Sequence, residues 1–216
     1  MIKIKKNGFT LSEMLITLGV LGLLGILVLP GLIKDTTNKA SITLLQSIIS
    51  NINDTVQNEL MRTKATTMAD TKIYTSPSSF LNDLGAVKTA EASLNPVFYP
   101  DEGYKSISGA APSISSGNIT SAILKNGAGI GIIPALPNPH FIVDINGSKG
   151  PNIVGVDYFE FSIMGSNDYT TGQHIGDLGY IIDKTTAELK TNCSKGSGPS
   201  CFQLLISSGF DHNYMK

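Results

Sequence analysis

The 216-residue sequence predicts an α+β protein, with a long N-terminal helix packed on a C-terminal antiparallel β-sheet. Three observations carry this expectation. Residues 14 to 33 contain no charged residue, whereas charged and polar residues are frequent from Lys34 onward. Leu45, Ile48, Ile49, Ile52, Val56 and Leu60 then recur at the spacing of one helical face. Short runs rich in β-branched and aromatic residues, bounded by turn formers, fill the second half. The 22 Gly, 10 Pro and absent Trp agree with a loop-rich body rather than a helical bundle. The length suits one modest core plus an extra segment. A formal net charge of −1 gives no general sign of nucleic-acid binding.

The chain opens with MIKIKKNG, in which Lys3, Lys5 and Lys6 stand without an acid. Phe9 to Leu29 is almost wholly apolar, and as a helix rising about 1.5 Å per residue it spans roughly 30 Å, a bilayer core. The lysines are expected to stay cytoplasmic, leaving the rest of the chain on the far side. A secretory signal peptide shares the basic start, but its apolar run is shorter and a small-x-small cleavage site follows it. Leu29-Pro30-Gly31-Leu32-Ile33 fits that poorly. A buried core helix would be shorter and less apolar. A plain membrane anchor explains the length and the lysines but not Glu13. An acid inside a membrane helix is costly and marks a functional site by default; the competing reading is a carboxylate near the interface that reaches water.

Lys5-Lys6-Asn7-Gly8-Phe9-Thr10-Leu11-Ser12-Glu13 resembles the prepilin processing site of type IV pilins and type II secretion pseudopilins. That site has a basic leader ending in Gly, then Phe, then Glu as the fifth mature residue. The likeness covers residues 5 to 33, with one departure at Ser12, where the family often has a bulkier apolar residue. It implies cleavage between Gly8 and Phe9 by a membrane aspartyl peptidase and N-methylation of Phe9. It further implies a single-pass precursor in the bacterial inner membrane, cytoplasmic at its N-terminus. That precursor is then drawn by an inner-membrane assembly platform into a periplasmic or cell-surface filament of pilin-like subunits. Loss of the leader leaves 13 of the 16 basic residues against 17 acidic ones. The new amine of one subunit could then neutralise Glu13 of its neighbour and set the axial register.

Pro30 is expected to kink or interrupt the helix, because it removes a donor and crowds the preceding turn. Gly19, Gly22, Gly25 and Gly31 weaken the same stretch, or form a small-residue packing face. The domain reading is leader 1–8, membrane or filament-core helix 9–33, amphipathic continuation 34–62 and globular α+β domain 63–216. Ser78 to Gly85 reads as a short helix, and residues 93 to 118 as loops and irregular strands. Strands are expected at Ser121–Lys125, Gly129–Ile133, 141–144, 158–163 and 180–182.

Two constellations stand out in the C-terminal half. Asp144, Asn146, Asn152 and Asp157 lie in DINGSKGPNIVGVD, whose oxygen-bearing side chains and glycines resemble a calcium-binding loop. The pattern lacks the full run and closing Glu of an EF-hand. The favoured reading is a turn between strands, with Asn146-Gly147 supplying positive φ and Asp144 bonding nearby amides. The other constellation is Cys193 and Cys201, the only cysteines. They would pair across a short loop in an oxidising compartment and stay free in the cytosol, and the membrane segment favours pairing. Phe202 to Ile206 reads as a short helix or strand.

Signals for an enzyme are weak. His140, His174 and His212 are isolated, no HExxH or GxSxG is present, and Gly127 to Gly131 lacks the Lys-Ser/Thr of a phosphate loop. The chain reads as a substrate of a peptidase and a methylase. The alternative to a filament subunit is a monomeric membrane-anchored protein whose C-terminal domain binds calcium or a surface ligand.

Overall fold

The computed structural model describes residues 10–167, 174–178 and 184–215. The chain divides into two compact units, Met1–Ala40 and Ser41–Lys216.

Helix α1 (Leu11–Thr63) provides all the described helix of the first unit. Its stretch Leu11–Leu29, 19 residues, is long and apolar enough to cross a membrane. The side chains there, Leu15, Leu18, Leu21 and Ile26 among them, are exposed. The helical assignment runs through residue 30 without a break, so the expected interruption is absent. One missing donor does not end a helix whose other bonds persist, because the fixed φ of proline is itself helical.

In the second unit the expected stripe of α1 is buried: Leu45, Ile48, Ile49, Ile52, Val56 and Leu60 join one core with Phe141, Phe159 and Phe161 of the sheet. Lys64, with φ 53°, ends the helix in the left-handed region, as C-terminal caps do. A 3-10 turn (Met68–Asp70), α2 (Lys72–Thr75) and α3 (Pro77–Asp83) follow. Pro77 stands in the first turn of α3 and Gly85, at φ 86°, lies past its end.

The sheet has five strands in chain order: β1 (Ala86–Ser93), β2 (Ile119–Leu124), β3 (Gly129–Ile133), β4 (His140–Asp144) and β5 (Tyr158–Ser162). Every neighbouring pair is antiparallel. The glycine-rich segment lies largely in β3. A Cβ on Gly129 would sit 2.2 Å from the Phe98 ring, so the glycine makes room for an aromatic laid on the strand.

Two elements differ from expectation. β1 occupies sequence for which no element was expected; AVKTAEAS is poor in β-branched residues, and pairing with β2 decides its state. Phe202 to Ile206 lies within α5 (Gly198–Ser207), which follows α4 (Thr186–Ser194), a helix the sequence reading did not anticipate. Phe202 stacks on Phe161 with centroids 4.7 Å apart, and Phe161 stacks on Phe141 at 5.7 Å. The strand expected at residues 180–182 lies outside the described residues.

Candidate functional site

Gly8 and Phe9, the residues read as the cleavage and methylation site, also lie outside the described residues. The next turn is well defined. Thr10 donates to Glu13 Oε2 from its backbone N and from its hydroxyl, both at 2.8 Å. Glu13 N returns a bond to Thr10 Oγ1 at 3.3 Å. This is a capping box, in which side chains satisfy donors that a helix start leaves open. The carboxylate therefore has partners within its own chain, a role the sequence reading missed although Thr-x-x-Glu is its signature. Past Glu13 the chain offers no charge until Lys34.

The other candidate lies between β4 and β5, where Asp144, Asn146, Asn152 and Asp157 come together. Asp144 ends β4 opposite Tyr158 of β5. Its Oδ1 accepts from Asn146 N at 3.1 Å, and Tyr104 Oη donates to its Oδ2 at 2.5 Å. Asp157 accepts from Asn152 N at 2.7 Å, Ile153 N at 2.6 Å and Asn146 Nδ2 at 3.4 Å. Asn152, at φ 54°, and Gly147, at φ 65°, turn the backbone through the left-handed region. Lys105 N and Val154 N then tie the loop to residue 105 through bonds of 2.9 Å to Asn152 O and Lys105 O.

Both carboxylates are deeply buried, Asp144 at 0% and Asp157 at 3% exposed, and among the described residues no lysine or arginine forms an ion pair with either. Burial chiefly, opposed by the Tyr104 hydrogen bond and reinforced by Asp157, pushes Asp144 up to about 7. Burial likewise raises Asp157, against the lowering pull of the Ile153 and Asn152 amides. Desolvation, the neighbouring Asp144 charge and the hydrogen bond to it hold the Tyr104 phenol well above its ordinary range. Two amide oxygens beside the carboxylates, Asn146 Oδ1 and Asn152 Oδ1, are buried without a hydrogen-bond partner. Such orphans are costly. The loop is thus a hydrogen-bonded turn, as favoured, with oxygen atoms left over.

A further acid escaped the sequence reading. Glu160 is 3% exposed and accepts from Ser115 N and Ser115 Oγ, each at 2.7 Å, and from Tyr158 Oη at 2.5 Å. No local pattern marks it, because Ser115, which gives it two of its three hydrogen bonds, lies 45 residues away. Cys193 and Cys201 form a disulfide joining the last turn of α4 to the first of α5, and both are buried. The bridge thus links two helix ends rather than closing a bare loop.

Residues 3–29 match the family described as the prokaryotic N-terminal methylation motif. No curated protein and no solved structure matches the chain. The matched segment begins in the lysine-bearing start, contains the Thr10–Glu13 box and ends with the exposed apolar stretch. The chain carries, at residues 3–29, the prepilin-type cleavage and methylation segment found in type IV pilins and pseudopilins.

Proposed function

We propose that this chain is a structural subunit of a type IV pilus or of a type II secretion pseudopilus. In this reading residues 1–8 are a leader removed by prepilin peptidase, and the same machinery methylates Phe9. Residues 9–33 hold the precursor in the bilayer and then form the filament core. Residues 34–62 continue that helix, and residues 63–216 are the displayed body. An inner-membrane assembly platform transfers each subunit from lipid into a polymer with other pilin-like subunits.

One observation carries the reading: the methylation motif contains an apolar stretch, without charge from Met14 onward, whose side chains the chain itself leaves exposed. Apolar surface of that extent needs lipid or partner helices. Mass spectrometry of the protein from its native membrane tests it. The expected N-terminus is a Phe9 carrying one methyl group, in a protein recovered from sheared filaments. A chain retaining Lys3, Lys5 and Lys6 in cells that process other prepilins contradicts the reading and favours the membrane-anchored binding protein.

The loop between β4 and β5 supports a second element. Two buried carboxylates without an ion-pairing cation and two orphaned amide oxygens suit a hard divalent cation such as calcium. Asp144, Asn146, Asn152 and Asp157 would hold it, and it would supply the positive charge that the buried acids lack. Calorimetric titration of the full chain in detergent with calcium is expected to give heat and a raised Tm. No heat and no shift removes the cation and leaves the turn.

A further inference from the structure

The disulfide and the β4–β5 loop meet at one residue. Gly155, with φ 86°, is buried, and a Cβ placed on it would lie 2.6 Å from Cys201 Sγ, 3.0 Å from Cys193 Sγ and 3.1 Å from Tyr214 Oη. Tyr214 Oη also donates to the Gly155 carbonyl, and Gly155 N donates to Tyr158 O at 2.9 Å. The glycine backbone therefore rests directly on the bridged sulfurs, with the tyrosine closing the remaining side. Two residues further on, Asp157 holds the amides of Asn152 and Ile153.

We propose that the Cys193–Cys201 bridge is a redox latch for the loop of residues 145–157, which seats on the body only when the two sulfurs are bonded. Unbonded thiols cannot approach each other as closely as bonded sulfurs, so the pair needs more room once reduced. Phe202, next to Cys201 in α5, is 0% exposed and stacked on Phe161 of β5, also 0% exposed, so this part of the body is closely filled. Gly155 is held by two hydrogen bonds, one from its N to Tyr158 O and one from Tyr214 Oη to its carbonyl, and it is the side that yields. In the forming direction, two thiols lose two electrons and two protons to a thiol–disulfide exchange partner, whose own disulfide becomes a dithiol. The Asp144–Asp157 arrangement is thereby completed only on the oxidising side of a membrane. The inference does not depend on filament assembly or on calcium.

Hydrogen exchange read by mass spectrometry on the full chain in detergent tests it. The oxidised protein is compared with the Cys193→Ser/Cys201→Ser variant. The expected result is exchange at least tenfold faster in the peptide spanning Asn152 and Ile153, with less than twofold change in β3 and β4. Loop protection equal to that of the oxidised protein, or equal acceleration across the sheet, overturns the proposal. Should the double variant not fold, the unmodified chain kept reduced by a dithiol gives an independent answer. The same peptide must exchange faster than in the oxidised chain, and unchanged protection there also overturns the latch.

Discussion

At the start of α4, Thr185 and Glu188 close a capping box whose hydroxyl-to-carboxylate and backbone-to-carboxylate bonds are 2.8 and 2.9 Å. Thr10 and Glu13 close the same box at the start of α1, with both bonds at 2.8 Å. The geometry is shared and the surroundings are not. Lys190-Thr191-Asn192 stand one residue past Glu188, polar surroundings in which a cap is a sufficient reason for the acid. A run without charge as far as Ile33 follows Glu13. The box needs an acceptor at this position, which Gln also supplies, and the helix dipole favours a negative charge there only modestly, so local geometry accounts for the oxygen at Glu13 more fully than for its charge. In the proposed reading that charge meets the amine which processing creates at Phe9 of a neighbouring subunit.

Breaking the two boxes in parallel separates cap from charge, and here the largest effect is expected. Glu13→Ala should abolish filaments while membrane insertion stays normal, whereas Glu188→Ala should leave filament yield unchanged. Glu13→Gln sharpens the result, because it keeps an acceptor for Thr10 and removes the charge. Electron microscopy of sheared material is expected to show no filaments from Glu13→Gln. Normal yield from it would reduce Glu13 to the role that Glu188 has.

The two units also differ in where their apolar side chains go. Phe161 is fully buried between Phe141 and Phe202, and Phe161→Ala should cost about 3–5 kcal/mol of body stability. Leu18 is 65% exposed, and Leu18→Ala should leave the denaturant midpoint of the body unmoved while weakening assembly. A body destabilised by Leu18→Ala would mean that the first unit supports the second.

The contrast explains what could be read in advance. The apolar stretch, the stripe from Leu45 to Leu60 and strands β2 to β5 follow from periodicity and composition, which are local signals. The Asp144–Asp157 loop was visible as a cluster because its four residues lie within 14 positions. Tyr104, which bonds Asp144 across 40 residues, and Ser115, which holds Glu160 across 45, left no trace in sequence. β1 was missed because a neighbour decides its state, and α4 because its run of polar residues lacks an apolar stripe. The two capping boxes were legible as Thr-x-x-Glu; the apolar run after Glu13 drew attention to its charge and away from its hydrogen bonds.

Acids also divide the molecule by pH. Asp144, pushed up to about 7, holds in the folded chain a proton that an unfolded chain releases near its ordinary value of about 4, and Asp157 is raised in the same sense. Folding therefore takes up protons between about 4 and about 7, so stability is greatest below that window and falls as pH rises through it. The expected loss is on the order of a few kcal/mol between about pH 5 and about pH 8. Thermal melts of the full chain should show Tm falling over that range, and Asp144→Asn should flatten most of the slope. Calcium, if it binds as proposed, should restore Tm at the alkaline end only. A Tm that rises from pH 5 to pH 8 would show that both acids are ionised and compensated in the fold.

The smallest effect tests the ordinary member of the pair. Thr185→Ala removes the side chain that accepts from Glu188 N and donates to its carboxylate, and a lost N-cap costs about 1 kcal/mol. The other end of α4 is fixed independently, since Cys193 is bonded to Cys201 and Leu189 is buried. Fraying should therefore stop within the first turn. The denaturant midpoint should fall with an unchanged m-value, and Thr185→Asn should restore it, because Asn caps as well as Thr or better. A loss of several kcal/mol, or no rescue by Asn, would mean that Thr185 holds more than the end of one helix. The comparison with Thr10 would then have to be drawn on different ground.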